Sequence, residues 1–343
     1  MKILFISDRL NTDGRSYQRK CTFEELGYTV ITYPAVPVED VRKKPLFIDR
    51  VLWKLGFQRD LTHLNQQLPI LAQQHQPDII WIEKGNTVAP ATLRRLKQRL
   101  PHSKLVSFSE DDMFARHNRC WFYTWGLKEY NIVFTTKSYN CQPNELPSLG
   151  AKKVVFIDKS YDAQTHYPRI LSTKEQQDLG GDVGFIGSYE KERAESLLFL
   201  AKNGIKVRIW GTGHWQTLQG QSESLLIENK PLYGENYLKG LAAFKINLCF
   251  LRKANRDLQT DRTMEIPACG GFMLAERTEE HLRLFEEDKE AVYFSSESEL
   301  LEKVRYYLSH ETERQAIASA ARVRCINSGY SHHERLKQML AYL

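Results

Sequence analysis

Short apolar runs alternate along this chain with longer polar stretches whose apolar positions recur at helical spacing. KILFIS (Lys2 to Ser7) leads through a polar loop, DRLNTDGRS, into a helical pattern that runs through Glu25 and stops at Gly27. YTVITY (Tyr28 to Tyr33) reads as the next strand, broken by Pro34 and Pro37. DIIWIEKG (Asp78 to Gly85), a helix from Pro90 to Arg99 and KLVSFS (Lys104 to Ser109) continue the alternation. NIVFTTK (Asn131 to Lys137) and KVVFID (Lys153 to Asp158) bracket a helix ending at Gly150, so the first half predicts about six parallel strands. Residues 38 to 76 break the rhythm, because they are charged and Gln-rich with apolar spacing nearer the helical period, and place Ile48, Val51, Leu52 and Leu55 on one helix face. The preferred reading packs that face on the domain's own sheet; the other lays it on a membrane.

Residues 159 to 181, with Pro168, Gly180 and Gly181, are polar and aperiodic and read as a linker. The same grammar then restarts: the strand DVGFIGS (Asp182 to Ser188) enters a glycine turn, followed by a helix from Glu190 to Asn203, the strand KVRIWG (Lys206 to Gly211) and a second tight turn, GTGHW. A helix from Glu235 to Phe244 precedes KINLCFL (Lys245 to Leu251). In DRTMEIPACGGFMLA (Asp261 to Ala275), Pro267 lacks an N–H and belongs in a helix's first turn, so the helix is expected to begin near Thr263 or Met264 with Glu265 in that turn. Gly270 and Gly271 end it, and FMLA reads as an inner strand. A helix over Glu279 to Leu284, the strand AVYF (Ala291 to Phe294) and further helices complete the chain, the last with Leu336, Met339, Leu340 and Leu343 on one stripe. The pattern predicts an α/β protein of two consecutive doubly wound domains, over 1–165 and 182–330.

Composition adds limits. With 343 residues, 42% hydrophobic and 26% charged, the chain can bury two cores. It has no apolar run of about 18 residues, and MKILFISDR enters a strand pattern at once, so neither a membrane span nor a signal peptide is expected and the protein is placed in the cytoplasm. Cys21, Cys120, Cys141, Cys249, Cys269 and Cys325 are scattered with no C-x-x-C pair, which argues against a zinc site and a disulfide framework. A net charge of +6 suits anionic small molecules, a lipid surface or nucleic acid alike. Lys and Arg are interleaved with acids along the chain, so no nucleic-acid partner is expected.

Chemistry concentrates at strand ends, because the ligand crevice of an open parallel sheet lies beyond the C-terminal ends of its strands. Gly14, Gly85 and the acidic loop Glu110-Asp111-Asp112 are expected on one such cleft. The loop could supply a general base from Asp111 or Asp112, hold a divalent cation through Glu110-x-Asp112, or simply cap a helix. His117 is a second candidate base or a structural histidine. Arg116, Arg119, Trp121, Phe122, Tyr123 and Trp125 could shape a pocket for an acceptor molecule, with core packing as the stronger alternative. Arg262 beside a helix N-terminus could hold a phosphate and Glu265 could accept hydrogen bonds from vicinal hydroxyls; alternatively the two form a plain helix-end ion pair. His332 and His333 have no partner at metal-ligand spacing.

DVGFIGSYEKER, WGTGHW, KINLCFLRKANRDLQTDRTMEIPACGGFML and EAVYFSSESELLEKVRYYLSHETER resemble the GT-B glycosyltransferases of the spore-maturation CgeB type. QPDIIWIEKG, KLVSFSEDDM and VFTTKSYNCQPNELPSLGAKKVVFID resemble the partner domain of those proteins. The resemblance implies two Rossmann-like domains facing a central cleft, a final helix over 331–343 crossing back to the first domain, and sugar transfer from a nucleotide-sugar donor held by the second domain. The acceptor, a glycan, a lipid-linked molecule, a protein or a small molecule, would meet the first. Glu265 matches the acidic residue that binds the nucleotide ribose in related enzymes, and Asp257 stands where many retaining members carry a second acidic residue that contacts the sugar. Leaving-group chemistry needs cations or N–H donors, for which Arg262, Arg193, Lys245 and the Gly187-Ser188 turn are candidates. Lys245 could instead snorkel into solvent. Gly211 and Gly213 could let the backbone approach the base or diphosphate, or form an ordinary turn. No cofactor is required, a divalent cation is not expected, and peripheral membrane contact is compatible. Two rivals remain, a nucleotide-sugar 2-epimerase of the same fold and a non-catalytic glycan- or nucleotide-binding protein.

Overall fold

The computed structural model describes residues 1–8, 10–12, 14–41 and 43–343. The chain forms two compact units, Met1–Asp158 with His332–Leu343, and Lys159–Ser331. The polar loop DRLNTDGRS includes Arg9 and Asp13, which lie outside the described residues.

In the first unit β1 (Lys2–Ser7), α1 (Arg15–Glu25), β2 (Thr29–Pro34), α2 (Phe47–Lys54), α3 (Leu64–His75), β3 (Ile79–Glu83), α4 (Pro90–Arg99), β4 (Lys104–Ser109), α5 (Trp121–Gly126), β5 (Ile132–Thr135) and β6 (Val154–Phe156) follow one another. The strands pair in parallel in the order β2-β1-β3-β4-β5-β6. Every residue of β3 is buried, as a strand covered by helices on both faces must be. Strand alternation sends Leu4, Ile6, Ile80 and Ile82 to a layer with Leu64, Leu68, Leu93 and Leu96. Ile3, Phe5, Trp81 and Phe134 go to the other face, with Phe23, Leu336 and Met339.

The second unit runs α6 (Thr173–Leu179), β7 (Gly181–Ile186), α7 (Lys191–Lys202), β8 (Val207–Trp210), β9 (Leu225–Ile227), α8 (Gly234–Ala243), β10 (Phe244–Cys249), α9 (Asp261–Ala268), β11 (Met273–Glu276), α10 (Glu279–Leu284), β12 (Val292–Phe294), α11 (Glu297–Ser309) and α12 (Glu311–Asn327). The final helix, α13 (His332–Leu340), belongs to the first unit. The second sheet is also parallel, in the order β12-β11-β10-β7-β8-β9.

Four local expectations are corrected. The 159–181 linker contains α6, started by a reciprocal cap in which the Glu175 N–H donates to Ser172 Oγ and the Glu175 carboxylate accepts from the Ser172 N–H at 2.8 Å. The short edge strand β9 follows the GTGHW turn, where no strand is expected. Helix α2 buries none of its residues, so its apolar face does not pack on the sheet.

Lastly, α9 begins at Asp261, not at Thr263 or Met264, and Glu265 falls in its second turn. The earlier start is a cap: the Thr260 N–H donates to Thr263 Oγ1 at 2.9 Å, and the Thr263 N–H returns to the Thr260 carbonyl at 3.2 Å. Pro267 sits in the last turn, where it removes only the bond that would reach the Thr263 carbonyl. Gly270, at φ +76°, then turns the chain toward β11.

A buried histidine holds this cap. His281 Nδ1 lies 2.7 Å from the Glu276 carbonyl, which can only accept, so Nδ1 carries the proton and Nε2 accepts from the Thr263 hydroxyl at 2.9 Å. Burial pushes the His281 pKa down to about 4, although the bond to Glu276 favours the charged form. An imidazole held neutral below its ordinary 6.5 leaves stability intact above that pH and loses it as pH falls toward about 4. The thermal midpoint of the native chain should therefore drop more steeply between those values than that of His281→Gln; parallel curves would remove His281 from the acid sensitivity.

Candidate functional site

In the second sheet β8 and β9 lie on one side of β7 while β10, β11 and β12 lie on the other, so a crevice opens beyond the C-terminal ends of β7 and β10. The chain leaves β7 through Gly187-Ser188 and leaves β10 through Phe250-Leu251-Arg252. Arg193, near the start of α7 and almost fully buried, ties the two exits together. Its guanidinium donates to the Leu251 carbonyl at 2.8 Å and the Ser188 carbonyl at 3.2 Å, with Glu190 at 3.3 Å.

Arg262, in the first turn of α9, shares this place. The two guanidinium carbons stand 5.4 and 5.6 Å from the centre of the Phe185 ring, Arg193 being the nearer. Burial and then the Arg262 charge pull Arg193 below the ordinary guanidinium pKa. Among the described residues Arg262 makes no hydrogen bond or ion pair, and its Nε is buried without a partner. A half-buried guanidinium left open beside a second one is an anion site in waiting. The α9 N-terminus adds less than expected to it, because Asp261 already places a carboxylate in that first turn, with buried Lys159 at 3.0 Å.

The glycines act on the protein itself. The Gly187 N–H donates to the Trp210 carbonyl at 2.8 Å, and the Gly187 carbonyl accepts from Trp215 Nε1 at 3.0 Å. A Cβ at Gly211 would fall 1.8 Å from that carbonyl, so glycine is required where the two strand exits approach each other. A Cβ at Gly213 would likewise meet the Tyr189 Cβ at 2.8 Å. Ser188 is exposed, its hydroxyl 3.5 Å from that of Thr212.

Glu265 and Arg262 do not pair. The Glu265 carboxylate is buried, accepts a very short hydrogen bond from the Tyr237 hydroxyl and has His166 Nε2 at 3.7 Å. Asp257 lies half-buried on the loop into α9 and accepts from Asn255 Nδ2 at 2.9 Å. Lys245 is not part of the arrangement. It is the second residue of β10, at the opposite strand end from the crevice, and pairs at the surface with Asp182 at 2.7 Å. Tyr237 and His166 carry no sequence signal that links them to Glu265.

The first unit has its own charged strand ends. Glu83, closing β3, is buried against Arg19, which reaches it at 2.7 and 3.1 Å, while the Ser7 and Ser16 hydroxyls donate to the same carboxylate. Burial opposes the Arg19 charge, but Glu83 and then Glu110, at 3.5 Å, outweigh it and raise its pKa. Lys84 bridges Asp111 at 2.9 Å and Asp8 at 3.6 Å. Charged residues ending the inner strand IIWIE were the available signal for Glu83 and Lys84.

Asp112 is corrected from base to structural acceptor. It is fully buried and receives the Phe114 N–H at 3.1 Å and Asn140 Nδ2 at 2.9 Å, which removes it from any acceptor hydroxyl. Asp111 is half-buried and His117 exposed. Tyr123 is core, and Arg119 is buried against Thr124. Trp121, Phe122 and Trp125 cluster around Phe57 and one another, with Arg116 stacked 4.0 Å over Trp121. Among the described residues no group of three or more His, Cys, Asp or Glu side chains could hold a metal ion.

Residues 193–341 match the family model described as Glycosyl transferase-like. No curated protein matches the chain in sequence. Among solved structures, the chain is similar to Anabaena HepE in complex with UDP and glucose, with TM-score 0.64 and 12% identity over all of both chains. It is similar to a sucrose-phosphate synthase from Thermosynechococcus elongatus, with TM-score 0.70 and 11% identity over 100% of this chain and 98% of that one. A putative UDP-N-acetylglucosamine 2-epimerase from Listeria monocytogenes aligns with TM-score 0.59 and 12% identity, over 99% and 95%. The fold is that of the GT-B glycosyltransferases.

The two arginines should separate in denaturation experiments. Arg193→Ala strands two backbone carbonyls and should cost about 1–3 kcal/mol, whereas Arg262→Ala removes a like-charge neighbour with no partner and should cost close to nothing. Equal losses would mean that Arg262 has a structural partner after all.

Proposed function

We infer that this chain is a glycosyltransferase that moves a sugar from a nucleotide-sugar donor to an acceptor. The observation that carries this reading is the open guanidinium of Arg262 beside Arg193, at the switch point of a sheet whose segment matches the glycosyl transferase-like family. Breaking the bond between sugar and nucleoside diphosphate develops an oxocarbenium-like sugar and adds negative charge to the departing phosphate. Arg262, backed by Arg193, is the group assigned to that charge, with Gly187 and the exposed Ser188 beside it.

Glu265, oriented by Tyr237 and His166, is assigned to the ribose hydroxyls, and Asp257 to the transferred sugar. The second unit holds the donor and the first receives the acceptor, whose proton passes to Asp111 or His117. The UDP complex of a protein of this fold makes a uridine nucleotide the first donor to try. The CgeB type is the proposed subfamily, supported by the segments that resemble it over much of the chain. Cytoplasmic residence goes with six free cysteines. With Arg262 rather than a metal ion assigned to the diphosphate charge, turnover should survive EDTA.

A thermal-shift screen against UDP, GDP, CMP, TDP and ADP and their sugar conjugates tests the donor class. A ligand at a hundred times its Kd adds about 2.7 kcal/mol to native stability. No shift with any of them would defeat the nucleotide-sugar reading. Arg262→Ala should weaken diphosphate binding about tenfold or more while sparing the nucleoside; equal losses would remove its phosphate role. Glu265→Ala should weaken nucleotide binding and, because Glu265 is buried with Tyr237, also cost about 1–3 kcal/mol of stability. The aligned epimerase fold keeps one rival in view, and conversion of donor alone to an isomeric nucleotide-sugar would favour it.

A further inference from the structure

We propose that the apolar face of α2 is a docking surface for an anionic lipid bilayer. Leu46, Phe47, Ile48, Val51 and Leu55 are exposed, Phe47 by 80%, Ile48 by 52% and Leu55 by 61%. Phe47, Ile48, Val51, Leu52 and Leu55 follow helical spacing and form one stripe, and large apolar side chains gathered in this way mark an interaction surface.

The stripe is held in place. Trp121 Nε1 donates to the Leu55 carbonyl at 3.1 Å and the Trp121 N–H to the Gly56 carbonyl at 2.8 Å. Asp49, on the other side of the helix, grips Arg59 at 2.9 Å, and Phe57 packs edge-on against Phe122 and Trp125. The α2 helix is therefore presented as a fixed element of the first unit.

Charge decides between the candidate occupants. Between residues 39 and 59 the sequence holds six basic side chains and three acidic ones. Asp40 is matched by Lys43 at 2.8 Å and Asp49 by Arg59, while Lys44, Arg50 and Lys54 have no ion pair among the described residues. Trp125, in ring contact with Phe57, is partly exposed, whereas Trp53 lies four residues after Asp49 on the side of α2 away from the stripe. An exposed stripe of Phe, Ile, Val and Leu beside unmatched cations is the composition of a segment lying in a membrane interface. An eight-residue helix is about 12 Å long. That is short for the about 800 Å² that a stable protein complex covers on each partner. A few side chains entering the headgroup layer suffice for reversible lipid binding when cations assist. Among the described residues no helix is long and apolar enough to cross a membrane, so the contact lies on the surface.

The test is flotation of the full chain with vesicles of equimolar phosphatidylglycerol and phosphatidylcholine, against vesicles of phosphatidylcholine alone. The chain should rise with the anionic vesicles, release at high salt, and bind the neutral ones weakly. Lys44→Ala, Arg50→Ala and Lys54→Ala should each weaken binding about fivefold. Ile48→Asp and Val51→Asp should abolish binding with the melting temperature unchanged, since both side chains are exposed, whereas Ile170→Asp, at an exposed position of the second unit, should bind as before. Equal flotation of Ile48→Asp and the native chain, or no flotation at all, overturns the proposal. So does a concentration-dependent dimer that Val51→Asp disperses, because the face would then belong to a second copy.

Discussion

Two positive charges held on the ring of Phe185 are the constraint around which the second unit is arranged. Like charges brought together out of bulk water repel, and each must be compensated or answered by a ligand. Arg193 is compensated, by two backbone carbonyls and Glu190. Arg262 has no such answer among the described residues. The surrounding structure keeps it so. Asp261, next in sequence, is occupied with Lys159, and Glu265, one turn on, with Tyr237 and His166.

Holding that charge in position takes rigid backbone on both sides. On one side the exits of β7 and β8 touch directly, with no room for a side chain at Gly211, and Trp215 closes over the Gly187 carbonyl. On the other side a chain of hydrogen bonds runs from the Thr260 N–H through Thr263 to His281 and the Glu276 carbonyl. The Glu276 carboxylate continues it to the Leu251 N–H at 2.9 Å, and the Leu251 carbonyl receives Arg193. One connected network thus runs from the start of the Arg262 helix to the arginine beside it. The first unit handles charge in the opposite way: Arg19, Glu83, Glu110, Lys84, Asp111 and Asp8 lie in matched pairs at its strand ends. The fold is shared, and the electrostatics of the two strand-end regions differ.

Local pattern alone was enough for the two parallel sheets. Inner strands of such a sheet are buried on both faces, so IIWIE, KLVSFS and FMLA stand out as apolar runs whatever surrounds them. It also placed Arg262, Arg193, Glu265 and the Gly187 turn near strand exits, because the ends of apolar runs can be located from local pattern, although the start of α9 was misplaced by two to three residues. The edge strand β9, half in solvent, has no such run, and α6 buries none of its residues, so no apolar stripe marks it within the stretch read as a linker. Tertiary structure decided the rest. Whether the face of α2 is covered depends on what lies against it, and periodicity records only that a face exists. Lys245 and Arg262 are both candidate cations in sequence, yet Lys245 lies at the entry of β10 and Arg262 follows its exit, and the ligand crevice of a parallel sheet lies beyond the strand exits. Asp111 and Asp112 are neighbours in the chain, and burial alone makes the second a turn acceptor. Tyr237 and His166 meet Glu265 from 28 and 99 residues away, a pairing that only the packing of α8, α9 and the segment before α6 could specify.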